Sequence, residues 1–460
     1  MGKNRVYGQD MLSGPLVRSV ARYTIPIILT NVLQLLFNAA DLVVVGQFAG
    51  ELSVAAVGNS GSIINLIVNL FIGLSVGASV AVAYSIGENK AEDVHKAVHT
   101  AVPTALVGGV IITFIGVFFS ETFLRMMDTP ENVLPLSALY MRIYFAGSVF
   151  MLIYNFCAAI LRASGDTKSP LVFLIIAGVI NVILNLIFVV FCHMDVAGVA
   201  LATTISQAVS ATLVVIALMK RTDACRFIPS KMRFHKQPLL KMIKIGIPAG
   251  IQGSLFSISN VIIQTSINSF GEIFMSGNAA ASNVESFIYS IIVAFHQTAL
   301  NFISQNMGAG QYKRAKKVLR VCILGVTVVC LVVCACVVLF GRGILSVYIP
   351  NSAEAIEWGM LRVIYLCIPY FLCGMMDVTT GSLRGLGSSV VPMLISVIGV
   401  CGIRIAWVFT VFRIPEYHTP QCLYLSYPLS WAVTFLLELI AFLILFKKKT
   451  DAAKPSPLSK

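Results

Sequence analysis

Twelve stretches of this chain are long and apolar enough to cross a lipid bilayer, and that pattern leaves few ways to fold it. A helical span needs about 20 residues at about 1.5 Å each, and in hydrocarbon every backbone N–H and C=O has to be satisfied inside the protein. Apolar windows bounded by charged or turn residues lie at about 23–46, 53–86, 97–119, 134–161, 169–191, 196–219, 242–269, 275–304, 318–340, 356–383, 390–412 and 423–446. Hydrophobic residues make up 57% of the chain and charged residues only 12%, about half the charged share of a soluble domain. The expected fold is an all-α polytopic membrane protein with twelve transmembrane helices.

The net charge of +13 would suit a nucleic-acid binder, but the bases sit in short loops between spans, where they set orientation. With the N-terminus placed in the cytoplasm, 27 of the 33 Lys and Arg fall on the inner side. The expectation is a multi-pass protein of the cell membrane, plasma or inner, with both termini cytoplasmic. No nucleic-acid module is visible. The first twenty residues are polar, so no cleavable signal peptide is expected there. The eleven Cys lie mostly inside apolar segments without metal-site spacing and read as small core residues.

The stretch Lys220 to Lys244 is the one long connector, dense in Lys, Arg and Pro, and it divides the chain into halves. Matches recur across it at an offset of 221 to 222: Ile25-Pro26 with Ile247-Pro248, Leu161-Arg162 with Leu383-Arg384, Gly165 with Gly387 and Pro170 with Pro392. Registration held over most of each half indicates internal duplication. Six spans per half is an even number, so both halves begin on the same face and form parallel repeats. The expected organisation is a cytoplasmic N-terminus (1–22), an N-lobe (23–219), a cytoplasmic linker (220–241), a C-lobe (242–446) and a cytoplasmic tail (447–460).

Span one carries a carboxylate, Asp41, roughly 22 Å along the axis from Pro26. An ionised acid at such depth costs about 2.5 to 3.5 kcal/mol on insertion scales, and acids of this kind mark ion or substrate pathways. Held away from water, it could exchange a proton or bind a cation near neutral pH. The plainer alternative is a buried Asp hydrogen-bonded to neighbours. Gln34, Asn38 and Asp41 repeat at helical spacing, and Asn181 and Asn185 on span five are one turn apart. Together they form a polar stripe facing inward from at least two helices, which could equally be interhelical glue; Asn155 on span four and Thr203 on span six are further isolated polar residues. In the second half, Asp377 could be a second coupling site or pair with an arginine such as Arg404, and Glu285 and Glu438 are weaker candidates. Pro26 and Pro248 could kink spans one and seven. No Walker loop and no HExxH occurs, so this chain does not itself hydrolyse ATP.

With twelve spans in two parallel halves, FNAADLVVVG on span one, and LRASGDTKSP echoed by LRGLGSSVVP, the chain resembles the multidrug and toxic compound extrusion (MATE) family over roughly Arg18 to Phe446. The resemblance implies a secondary antiporter, not an enzyme. Two lobes open alternately in a rocker switch and expel cationic amphipathic compounds in exchange for H+ or Na+, with no cofactor beyond that ion and with a monomer in contact with membrane lipid. Asp41 matches the family's first-helix carboxylate, with Asn155, Asn181, Asn185 and Thr203 at its neighbouring polar positions and a Na+ site at Asp41 and Asn181 as one implied reading. Some members carry an Asp where Asn185 stands and others a glutamate where this chain has Phe256, and Asp377 lies about one turn nearer the Leu-Arg pair than the tenth-helix aspartate of those members, so Asp41 is the better coupling candidate and Asp377 and Glu285 are secondary ones. A flippase for lipid-linked sugars or other anionic lipids is the rival within the fold, and a membrane-embedded enzyme is the rival outside it.

Overall fold

The computed structural model describes residues 8–350 and 352–452. Residues 1–7 of the expected N-terminal segment and 453–460 of the expected tail lie outside the described residues. All regular structure among those described is helical. The first half comprises α1 (Leu16–Phe48), α2 (Glu51–Gly87), α3 (Ala91–Met126), α4 (Leu134–Ala146), α5 (Ser148–Ala163), α6 (Lys168–Asn185) with a π-helical extension Leu186–Phe191, and α7 (Asp195–Met219). The second comprises α8 (Lys236–Asn268), α9 (Glu272–Gly308), α10 (Tyr312–Tyr348), α11 (Ala353–Cys367), α12 (Tyr370–Gly385), α13 (Val390–Ser396) with a π-helical turn Val397–Gly402, α14 (Ile403–Phe409) and α15 (Pro420–Ala452). Ten helices are long and apolar enough to span singly, and two bent pairs complete twelve.

Each apolar window becomes a span, but most helices outrun their windows. α1 begins at Leu16 and α10 continues to Tyr348, because the backbone ladder runs on until a breaker residue stops it. Those breakers repeat between halves. Gly50 and Gly271, before α2 and α9, have φ of +89° and +95°, a conformation that glycine adopts without the steric cost other residues meet. Gly165 and Gly387, in the two echoing turn motifs, have φ of +93° and +84°. Asp166 in the first of these turns caps the next helix, accepting from the Ser169 N–H at 3.0 Å and its hydroxyl at 2.6 Å.

The windows gave no warning of two breaks. α4 and α5 meet at 46° around Gly147, and α11 and α12 meet at 48° around Ile368-Pro369. At the second, Pro369 lacks an N–H and its ring crowds the preceding turn, which ends α11. The breaks lie at the same offset as the other repeat matches, so the duplication extends to the bends.

The chain forms two compact units, Met1–Met11 with Arg22–Ser254, and Leu12–Ala21 with Leu255–Lys460. The division falls inside α8 and not in the expected linker 220–241. The reason is close packing of the first half of α8 on α2: a Cβ on Gly73 would strike the backbone of Gly246 and Gly250, and one on Gly250 the backbone of Leu70. Ser254 also donates to the Leu66 carbonyl at 3.2 Å. Close approach through small residues is how helices pack where lipid offers no hydrophobic drive. The linker itself is folded onto α3, where His99 Nε2 accepts from the Ile228 N–H at 3.0 Å and Thr100 Oγ1 from the His235 N–H at 3.1 Å. Burial there pushes the Cys225 thiol up to about 12.

In the first unit α3 packs on α4 and α5, α2 on α5, and α6 on α7; in the second α9 packs on α10, α11 and α12, and α15 on α12. The opposite helix faces expose large apolar side chains such as Phe118, Leu339 and Phe340, as expected of surfaces solvated by lipid.

Candidate functional site

Asp41 lies on α1, half-buried, facing the end of α6 and the third turn of α7. Asn185 Nδ2 donates to Asp41 Oδ1 at 2.5 Å, and Thr203 Oγ1 donates to Asp41 Oδ2 at 3.3 Å. Asn185 Nδ2 also reaches Asn181 Oδ1 at 3.3 Å, and Asn181 Nδ2 reaches Thr203 Oγ1 at 3.4 Å. Four of the five residues expected at this site therefore form one closed circuit. Their spacing explains why: Asn181 and Asn185 are one helical turn apart, so both amides leave α6 on the face that meets α1.

Asn155 stays outside the circuit. Its Nδ2 donates to the Met151 carbonyl one turn earlier at 2.9 Å, which satisfies the amide locally. Two observations show what the circuit could hold. Among the described residues Asp41 makes no ion pair with Lys, Arg or His. The Asn185 side-chain oxygen is buried without a hydrogen-bond partner, because both neighbours of its NH2 group are acceptors and fix the amide orientation. One carboxylate beside the neutral oxygens of Asn181, Asn185 and Thr203 makes a hard oxygen set. A single carboxylate suits one positive charge, a proton or Na+, better than a divalent ion.

Pro26 lies inside α1, on the same helix as Asp41. It supplies no N–H to the Arg22 carbonyl, and Thr30 Oγ1 donates to the Pro26 carbonyl at 2.8 Å. Tyr23 OH donates to the Arg162 carbonyl at 2.7 Å, fastening the helix just before that weak point. Pro248 holds the equivalent place inside α8.

The acids of the second unit are placed separately. Both oxygens of Glu285 accept from Arg362, Nε and Nη2 each at 2.8 Å, while Arg362 Nη1 donates to Asn278 Oδ1 at 2.6 Å. Pair and amide are buried, and Tyr424 OH adds a bond to Asn278 Oδ1 at 3.0 Å. Glu285 thus has a fixed cationic partner and does not gather with Asp377. Asp377 turns instead toward His296, whose Nδ1 lies 2.8 Å from the Asp377 carbonyl and 4.0 Å from its Oδ1, and Arg384 Nη1 lies 3.3 Å from His296 Nε2. Arg384 can only donate, so Nε2 accepts and the His296 proton sits on Nδ1. Arg404, an alternative partner for Asp377 on sequence grounds, lies elsewhere, over the Tyr427 ring. Glu438 turns to two hydroxyls, Thr380 and Ser396, at 2.8 and 2.7 Å.

Sequence reasoning missed the Glu285–Arg362–Asn278 cluster, although Arg362 in a predicted span was the signal: a buried guanidinium in hydrocarbon requires a partner.

A profile of the MatE family matches residues 26–187 and again 248–410, one match in each half. A probable multidrug resistance protein of Bacillus subtilis, YoeA, is 28% identical over 441 residues, which is 94% of each chain. Among solved structures, an outward-facing multidrug resistance MATE family transporter of the MOP superfamily matches with a TM-score of 0.88 and 20% identity, over 96% of this chain and 99% of that one. A MATE transporter in a bent conformation matches with a TM-score of 0.87 and 20% identity, over 96% of this chain and 98% of that one. The duplicated six-span halves, the turn motifs and two successive family matches lead to one conclusion: this chain belongs to the MatE family of membrane transporters.

Proposed function

We propose that the chain is a secondary multidrug exporter of the cell membrane, acting as a monomer with both termini in the cytoplasm. It expels cationic amphipathic compounds in exchange for H+ or Na+ at Asp41. The observation that carries this reading is the Asp41 carboxylate, inside an apolar helix, held by neutral donors and beside the orphaned Asn185 oxygen, with no fixed cation to neutralise it. Relatives described as probable multidrug resistance proteins support the multidrug part of this reading.

Coupling follows from competition for one charge. Asp41 holds either the entering ion or the influence of an outgoing cation, and Asn181, Asn185 and Thr203 provide oxygens for Na+ or bonds to a protonated acid. Occupancy would be transmitted through α1, whose Pro26 removes a backbone bond near the inner end and lowers the cost of bending. Alternating access by a rocker switch then requires that the bent and straight forms of α1 differ in affinity for the ion. One uncompensated positive charge entering under about 100 mV supplies about 2.3 kcal/mol, roughly a fifty-fold substrate gradient. Electroneutral exchange with H+ draws only on the pH difference, about 1.4 kcal/mol per unit.

The test is efflux of a cationic dye such as ethidium from vesicles, with pH and sodium gradients imposed in turn. One of the two should drive efflux, and Asp41→Asn should abolish the response at matched expression. Gradient-driven efflux persisting in Asp41→Asn would remove Asp41 from the mechanism.

A further inference from the structure

Arg404 is a buried arginine that the mechanism above does not use. It leaves α14 into the second unit and is 5% exposed. Its Nε donates to Ser430 Oγ at 3.0 Å. The guanidinium carbon lies 4.0 Å from the centre of the Tyr427 ring and 5.6 Å from that of Trp431. Tyr427, Ser430 and Trp431 are spaced so that all three project from one face of α15. Tyr370 of α12 closes edge-on against Trp431 at 5.3 Å. The seat is thus aromatic on one side and offers a single hydroxyl.

What the seat lacks is a counter-charge. Among the described residues no Asp or Glu lies within 4.0 Å of Arg404, whereas Arg362 has both oxygens of Glu285. Guanidinium stays protonated at any physiological pH and carries five donors. Ser430 takes one, and among the described residues the four N–H of the terminal nitrogens meet no protein acceptor. The terminal nitrogens keep only a sliver of accessible surface, so an acceptor that serves them has to come in with a ligand. Stacking on aromatic rings offsets part of the cost of burying this cation, but rings accept no fork of hydrogen bonds. A planar anion does.

We propose that the C-lobe binds the carboxylate, sulfonate or phosphate group of an aromatic substrate at Arg404, beside the α15 face that carries Tyr427 and Trp431. This deepens the exporter reading by adding aromatic anions and zwitterions to the substrate class, and it rests on that reading only for the direction of movement.

Trp431 supplies the readout, since the chain has three tryptophans, and Trp358→Phe with Trp407→Phe leaves it alone. In full-length protein in maltoside micelles, 4-nitrobenzoate and its uncharged counterpart 4-nitrobenzamide, both fluorescence quenchers, are titrated separately. The acid should bind at least about tenfold more tightly, the ratio one charge-assisted hydrogen bond supplies. Arg404→Gln should erase that preference, and Arg404→Lys should keep part of it. Equal affinity for acid and amide in the Arg404 protein would overturn the proposal, as would a preference surviving Arg404→Gln. The comparison in the Arg404 protein decides even if Arg404→Gln does not elute as a monodisperse species. No ion gradient enters this measurement, so the binding site and the antiport reading fail or stand separately.

Discussion

Asp41 and Glu285 both sit in apolar helices, yet one faces neutral amides and a hydroxyl while the other is gripped through both oxygens by an arginine. The difference predicts opposite behaviour on neutralisation. Glu285→Gln leaves the Arg362 guanidinium buried and half unpaired, and breaking such a pair costs about 3 to 5 kcal/mol. Thermal unfolding in detergent should show a clear drop in Tm, and Glu285→Leu combined with Arg362→Met should recover much of it. Asp41→Asn strands no cation, so its Tm should stay close to that of the unsubstituted protein while its gradient response is lost. Measured together, the two variants separate an acid kept for stability from an acid kept for transport.

At the scale of helices, the seam between α2 and the first half of α8 has no room for side chains at Gly73 and Gly250. Gly73→Val should cost about 1 to 3 kcal/mol through overpacking, seen as a lower Tm and as proteolysis within α8. Gly58 of the same α2, with open space around its added Cβ, serves as the control. Spans were legible because hydropathy over a window is a local property of the chain. So was the shared face of Asn181 and Asn185, since residues four apart on α6 lie on one side whatever the packing; that Asp41 and Thr203 join them was implied only by the family resemblance, because no local pattern brings α1 and α7 to α6. The bends at Gly147 and Pro369 were not legible from hydropathy, because an apolar window looks the same straight or broken. Asn155 illustrates a different limit: its type suits the site, but a carbonyl one turn away satisfied it first. The aromatic seat of Arg404 depends on α14 lying against α15, a pairing that the order of windows does not reveal.

For the whole molecule, cysteine accessibility gives a direct check on orientation. Cys192, at the end of the fifth span, is exposed, while Cys225 in the linker is buried. If both termini are cytoplasmic, a membrane-impermeant maleimide added to intact cells should label Cys192. Cys225 should stay unmodified even in lysed cells, because burial also holds its thiol protonated up to about pH 12. Labelling of Cys192 only after lysis would reverse the orientation. The ion pair of Glu285 and Arg362 joins residues 77 positions apart, which has a bearing on how the protein is made. At about 5 to 20 residues per second, the ribosome delivers the glutamate on the order of ten seconds before its arginine. During that interval the eighth span is an incomplete membrane segment, and it has to shelter at the insertion machinery until α11 arrives. A nascent chain truncated between α9 and α11 should therefore remain cross-linkable to that machinery, and extending it past Arg362 should release it into lipid.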